Sequence, residues 1–389
     1  MHPVLTTLIT IAVAVGGVLM GCNYLIFTER KLAAWMQDRV GPNRVGPWGL
    51  LQPAADGLKF LLKEDIIPGH VDKVLFLIAP TISVLTTLLA FAVVPFGPVG
   101  DAPEWMRFII APNIDLGIVF IFAVTSLAVY GVILGGWASN NKYSALGSLR
   151  ASAQVVSYEI PLGMSVLGIG LLCNTLSVEQ VLLTQAKGGL AAWNIWYQPL
   201  ACLIFFTSAL AESNRLPFDL PECEQELVGG YHTEYSALKF GLFFLGEYTH
   251  VVTISFLTVI LFFGGWHLPY IAEATSHYAG AWVVKLAVLH GKVFLVILLI
   301  MLIRWTIPRF RFDQLMGLTW KVLIPLSLAN VVIVMTVLQF GYSRWWLLPL
   351  SVGLFAFAGI VSVNMKRAEI AHRVRAREQS HLDHAIATH

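Results

Sequence analysis

The stretch AESNRLPFDLPECEQELVGGYHTEY, residues 211–235, carries six of the chain's 23 acidic side chains beside one arginine and no lysine. It stands between two of the most apolar segments of the chain, 196–211 and 240–266. Carboxylates gathered between two hydrophobic runs read as a loop at a membrane surface joining two crossing helices, which places the chain among membrane proteins. Pro217 and Pro221 interrupt any helix, so the stretch is expected to fold as a loop before the next crossing.

The composition agrees. The 389 residues are 57% hydrophobic and only 12% charged, with a mean hydropathy of +0.72; a soluble domain is usually about 25% charged. The expected class is an all-α polytopic membrane protein of about nine transmembrane helices, at 4–27, 74–96, 116–137, 155–176, 196–211, 240–266, 286–303, 322–340 and 345–363. The fifth is short and draws on its flanks. The apolar N-terminus lacks the basic lead and small-residue cleavage site of a secretory signal. Cys22, Cys173, Cys202 and Cys223 are far apart in sequence and form no CxxC pair, so they read as buried thiols and not as metal or cluster ligands.

Basic residues set the expected orientation. Twenty of the 25 Lys and Arg fall in segment 28–73, the loops at 138–154, 212–239 and 304–321, and the tail after 363; four flank the opposite ends, and Lys292 lies inside a span. This bias predicts an N-terminus outside, a cytoplasmic C-terminus and a cytoplasmic acidic loop at about 212–237. Residues 1–365 read as one transmembrane domain and 366–389 as a basic, His-bearing cytoplasmic tail, either solvated, apposed to lipid or docked on a partner. In GLLQPAADGLKFLLKE, Leu51, Ala54, Leu58 and Leu61 or Leu62 recur at helical spacing, with Asp56, Lys59 and Lys63 on the other face. An amphipathic helix at about 49–65, lying in the cytoplasmic interface, is expected.

Ionisable groups within spans are costly, about 2.5–3.5 kcal/mol each, and usually serve ion pathways. Glu159 lies near the cytoplasmic end of the fourth span. Glu247 sits about 12 Å, and Lys292 about 18 Å, beyond the basic residues that flank their spans, at 1.5 Å per residue. If their helices touch, a long Lys side chain bridges the difference, giving either an ion pair that fixes packing or part of a proton path. His250 and His290 differ too much in depth to hold a haem between them.

Four segments, TERKLAAWMQDRVGPNRVGPWGLLQPAADGLKFLLKED, SYEIPLG, AESNRLPFDLPECEQELVGGYHTEYSALKFGLFFLGEYTH and RWTIPRFRFDQLMGLTWKVLIP, stand in this order. Together they resemble the quinone-chamber membrane subunit of respiratory complex I, called the H subunit in the bacterial enzyme and subunit 1 in mitochondrial NADH dehydrogenase. The resemblance covers roughly residues 3–340. Phe312 departs from the tyrosine frequent in that family, and Cys223 replaces a small residue.

The resemblance implies a subunit of a proton-translocating NADH-quinone oxidoreductase in a bacterial inner membrane. It would bind no cofactor of its own and take a quinone, ubiquinone or menaquinone, as substrate. Electrons would arrive from FMN and iron–sulfur clusters in peripheral-arm partners, with other membrane-arm subunits alongside in the bilayer. The absence of GxGxxG and GxxxxGK[ST] motifs agrees, and no nucleic-acid partner is expected.

For quinone binding, Arg30, Gln37, Arg39, Asp56, Lys59, Arg215, Arg304, Arg309 and Arg311 are the candidates, since reduction builds negative charge on the quinone oxygens. Anchoring on lipid phosphates is the plain alternative for each cation, and Asp56 and Lys59 could simply pair with each other. For proton transfer the candidates are Glu159, Glu212, Asp219, Glu222, Glu224, Glu226, Glu234, Glu247 and Lys292. Like charges held close cannot all ionise, so such a set shares protons; an acidic docking surface for a basic partner is the other reading. Two different functions also fit the general pattern: the membrane anchor of an energy-converting hydrogenase-type complex, and a stand-alone ion-coupled transporter.

Overall fold

The structure, a computed structural model, describes residues 3–100, 103, 105–219, 228–273 and 280–362. Among these, regular structure is helical apart from one isolated bridge between Leu268 and Ala272. In chain order the main helices are α1 (Pro3–Met36), α2 (Gln52–Leu62), α3 (Lys73–Ala90), α4 (Gly117–Ala138), α5 (Lys142–Cys173) and α6 (Val178–Lys187). They are followed by α7 (Pro199–Glu212), α8 (Ala237–Phe262), α9 (Ala281–Thr306), α10 (Phe312–Gln339) and α11 (Arg344–Ser362). All but α2, α6 and α7 are long and apolar enough to cross a membrane, eight helices in all. With 14 residues, about 21 Å of rise, α7 is the short fifth segment. Each expected span therefore falls on a helix, and the chain is an all-α polytopic membrane protein.

At α3 and α5 side-chain caps, and not hydropathy alone, set where the helix begins. α5 begins thirteen residues before the expected span at 155, because Asn141 accepts a hydrogen bond from the Tyr143 N–H at 3.1 Å and starts the helix there. It stops at Asn174, whose left-handed conformation (φ 53°) closes the last turn. Asp72 caps α3 in the same way, accepting from Val74 and Leu75. α1 runs 34 residues, about 51 Å, and so exceeds a hydrocarbon layer of about 30 Å. Its last turns carry Glu29 and Arg30 beyond the apolar part of the helix.

The centre of the bundle is α8. In its most apolar stretch 83% of residues are buried, against 11% in the peripheral α11. It packs against α1, α3, α7 and α9, while α5 gathers α4, α7 and α10. Phe91 and Phe256 meet edge to face at 5.9 Å, and Phe205 lies 5.5 Å from Phe262. The expected amphipathic helix is α2, shorter than 49–65. It rests on α1 and α8, and Leu58, Leu61 and Leu62 stay exposed along one side. The sequence gives no warning of α6: ten mixed residues carry no span signal, yet Gln185 on it donates to the Ile260 carbonyl at 2.8 Å and accepts from Gly264 N–H at 3.2 Å.

One glycine positions the site directly. A Cβ on Gly147 of α5 would lie 2.7 Å from Gly230 Cα, so only hydrogen at this position lets the loop before α8 lie against α5. Ser144 fixes the same loop by donating to the Tyr231 carbonyl at 2.9 Å. The expected tail at 366–389 lies outside the described residues.

Candidate functional site

Between α1, α8 and α9 the structure leaves a cleft of about 530 Å³, walled by side chains such as Val13, Val18, Phe91, Phe256, Val293 and Ile297. Tyr24, Thr28 and His290 are its few polar neighbours. Gly17 and Gly21 of α1 face this space, and a Cβ on either would meet nothing within 4 Å. Leu25 and Ile297 also line a neighbouring space of about 20 Å³, together with Glu29, Arg215, Tyr248 and Arg304. Glu29, Tyr248 and Arg304 also line a third space of about 620 Å³ with Arg30, Arg39 and Trp305. Shared lining residues make these three spaces neighbours: an apolar cleft, a narrow neck and a polar vestibule.

A line of polar contacts leads from the vestibule into the bundle. Arg304 forms an ion pair with Glu29, and the other Glu29 oxygen accepts from the Tyr248 hydroxyl at 2.5 Å. The Arg215 guanidinium lies 4.0 Å from the Tyr248 ring centroid, a cation–π contact, and approaches Glu247 Oε2 at 3.9 Å. Glu247 Oε1 accepts from the Tyr231 hydroxyl at 2.9 Å. Glu247, Tyr231, Glu212 and His250 line a cavity of about 50 Å³, in which His250 Nε2 stands 3.5 Å from Glu212 Oε1. Space of this size between polar walls suits water.

The charges in this line are almost dry. Side-chain exposure is 9% for Arg215, 10% for Glu247, 6% for Glu212 and 11% for Glu29. A buried charge without a partner is costly, so each must share charge or protons with its neighbours.

The remaining sequence candidates are distributed around this axis. Arg30 binds Asp56 at 2.6 Å, with Lys59 at 3.8 Å from the same carboxylate; the expected Asp56–Lys59 pair exists, but Arg30 is the closer partner and ties α2 to α1. Arg39 lines the vestibule, whereas Gln37, just past α1, is exposed and is not among its walls. Arg309 pairs with Asp219 at 3.4 Å. Arg311 sits at the start of α10, where its N–H donates to Gln314, outside the vestibule. Glu159 accepts a hydrogen bond from Ser126, and Glu234 accepts from Asn141 at 2.8 Å. Glu222, Glu224 and Glu226 lie outside the described residues.

The expected Glu247–Lys292 pair is not formed. Lys292 Nζ donates to the carbonyls of Phe263, Gly265 and His267 at 2.8, 3.0 and 2.6 Å, and lies over the Trp193 ring at 4.2 Å. Phe263 is sixteen residues beyond Glu247, about 24 Å along the helix. Depths counted from different flanking cations misled here, because α9 meets α8 in a different register. Lys292 instead holds the loop after α8, whose Gly264 and Gly265 adopt positive φ. Burial and the Lys292 charge hold His267 below its ordinary pKa, in keeping with its Nδ1 accepting from the Trp193 N–H at 3.3 Å.

Glu29, Tyr231 and Tyr248 do not stand out in the sequence. Each adjoins a residue or motif that does: Glu29 precedes Arg30, Tyr248 follows Glu247 and Tyr231 follows the GG pair. Tyrosine in an apolar chain carries no charge signal, so only the fold reveals these links.

Known proteins share this chain's sequence over most of its length. A family model described as NADH dehydrogenase matches residues 9–335. The first of the NADH-quinone oxidoreductase H subunits of Cytophaga hutchinsonii is 46% identical over 310 residues, 80% of this chain and 90% of that protein. The second NADH-quinone oxidoreductase H subunit of Koribacter versatilis is 45% identical over 347 residues, covering 85% and 96%. Subunit 8 of the NADH-quinone oxidoreductase of Rhodothermus marinus is 43% identical over 339 residues, covering 85% and 97%.

Proposed function

Because this chain belongs to the NADH dehydrogenase family, as a membrane subunit of an NADH-quinone oxidoreductase, we propose that it forms the quinone chamber and couples quinone reduction to proton translocation. The observation that carries this reading is the adjoining series of cleft, neck and vestibule, with the polar line starting at the neck. An apolar cleft suits an isoprenoid tail, and a polar chamber suits a quinone head. The tail lies between α1 and α9, and the head reaches the vestibule.

Reduction of a quinone to a quinol takes two electrons and two protons. The electrons come from partner subunits, whose flavin and iron–sulfur centres supply the redox chemistry. Arg30, Arg39 and Arg304 surround the vestibule with positive charge, which favours the negative charge that reduction builds on the quinone oxygens. Charge appearing there competes with Glu29 for Arg304. The disturbance passes through Tyr248 and Arg215 to Glu247, which changes its hold on a proton. Glu212, Glu159, Glu234 and the acids at 222–226 continue the proton path or meet partner subunits. Arg309 and Asp219 bind the loop before α8 to the start of α10.

The surplus of Lys and Arg at the vestibule end points that end toward the cytoplasm of a bacterial inner membrane. There the peripheral arm docks and completes the head site, and other membrane-arm subunits flank the bundle. Ubiquinone and menaquinone both fit a cleft of this character.

Filling the cleft tests the chamber. Gly21→Trp places a large ring where a Cβ now meets open space. In the assembled complex the KM for a long-tailed quinone should rise about tenfold, the order expected for excluding one or two apolar groups. The KM for a tailless quinone should change much less, and NADH oxidation by a soluble acceptor should stay intact. Unchanged KM for both quinones would contradict the chamber.

A further inference from the structure

We propose that His250 relays protons between Glu247 and Glu212. The inference rests on the quinone-coupled function proposed above, in which buried carboxylates carry protons, and adds a residue whose neutral form carries no charge. Glu247 and His250 are three residues apart on α8, so their side chains share one face of the helix. Glu212 ends α7, a different helix. Glu247 Oε1 accepts from Tyr231, and Oε2 faces Arg215 at 3.9 Å. His250 adjoins Glu212 and borders the cavity that both carboxylates line.

His250 is 8% exposed, and its Nε2 makes no hydrogen bond among the described residues while it stands 3.5 Å from Glu212 Oε1. His250 borders the small cavity that Glu247 and Glu212 also line, together with Ser83, Thr87 and Thr125. A histidine that served only for packing would bring its ring nitrogen to a hydrogen-bond partner or to solvent. This one faces the Glu212 carboxyl at 3.5 Å, beside a cavity that suits water.

The relay balances. A cavity water gives a proton to Nε2, forming the N–H bond as the water O–H bond breaks, and Glu247 reprotonates that water. The imidazolium then gives the same proton to the Glu212 carboxylate and returns to neutral imidazole. One proton leaves Glu247 and one arrives at Glu212. Imidazole suits the step because a ring nitrogen can both take up and release a proton.

The test uses the assembled complex in sealed vesicles, with His250→Gln and His250→Phe. Gln keeps a hydrogen-bonding side chain without titration; Phe keeps the ring without nitrogen. Both variants should lower NADH-quinone turnover and proton uptake together, about tenfold, with Gln no better than Phe. NADH oxidation by a soluble acceptor reports that the complex is assembled and should be unchanged. If His250→Phe fails to assemble, His250→Gln alone decides. Gln at wild-type turnover and pumping would overturn the relay, since hydrogen bonding alone would then suffice. Glu212→Gln, measured alongside, separates the two levels. Low rates for Glu212→Gln with normal rates for both His250 variants would remove only the relay, whereas a normal Glu212→Gln would remove the carboxylate path beneath it.

Discussion

Arg304 and Glu29 line both the neck and the vestibule, and their side chains are 28% and 11% exposed. Removing one member of so enclosed a pair strands the other charge. Glu29→Gln or Arg304→Met should each lower the stability of the assembled complex by about 2 kcal/mol, less than a fully buried pair loses because Arg304 keeps some solvent. The double variant should recover a good part of that loss, with a coupling of about 1–3 kcal/mol. Thermal inactivation of the four complexes measures this cycle, and strict additivity would mean that the two charges act independently. Residues of this kind are only half legible in the sequence. Arg304, Arg215 and Glu247 stand out as charges at or inside apolar runs. Glu29 passes as the end of a span, and Tyr248 and Tyr231 give no charge signal. Lys292 is legible as an intramembrane base but not as the clamp on the loop after α8, because its partners are backbone carbonyls that any sequence would offer.

At the level of the helices, hydropathy located the apolar helices, while caps fixed where α3 and α5 begin. α5 extends below its apolar part because Asn141 starts it early, and that extension supplies Gly147, against which the loop before α8 rests. Gly147→Val should push this loop away from α5, since even a Cβ would overlap Gly230. Tyr231 then loses Glu247. Quinone turnover should fall several-fold, as it should for Tyr231→Phe, while soluble-acceptor oxidation persists. Normal turnover in Gly147→Val would show that the loop's seat is not what holds Tyr231 in place. No pattern of hydrophobicity announces such a backbone-to-backbone approach. It is a property of two segments far apart in the chain, and so are the ties of Arg30 to Asp56 and of Lys239 to Asp65, both at 2.6 Å.

Across the molecule, α8 stands between two unlike regions. On one side, with α1 and α9, lies the cleft that leads to the vestibule; on another, with α3, α4 and α7, lies the cavity of Glu247, Glu212 and His250. Tyr248 and Glu247, adjacent on α8, face these two regions, and Arg215 touches both residues. Through this crossing, charge changes at the vestibule are proposed to reach the carboxylates. Glu247→Gln in the assembled complex in sealed vesicles puts that coupling to the test, with quinone reduction and proton uptake recorded in the same run. The variant keeps the shape and removes the titration. Both rates should fall together to a small fraction of wild type while the soluble-acceptor reaction continues. Wild-type quinone reduction with undiminished proton uptake would contradict the coupling.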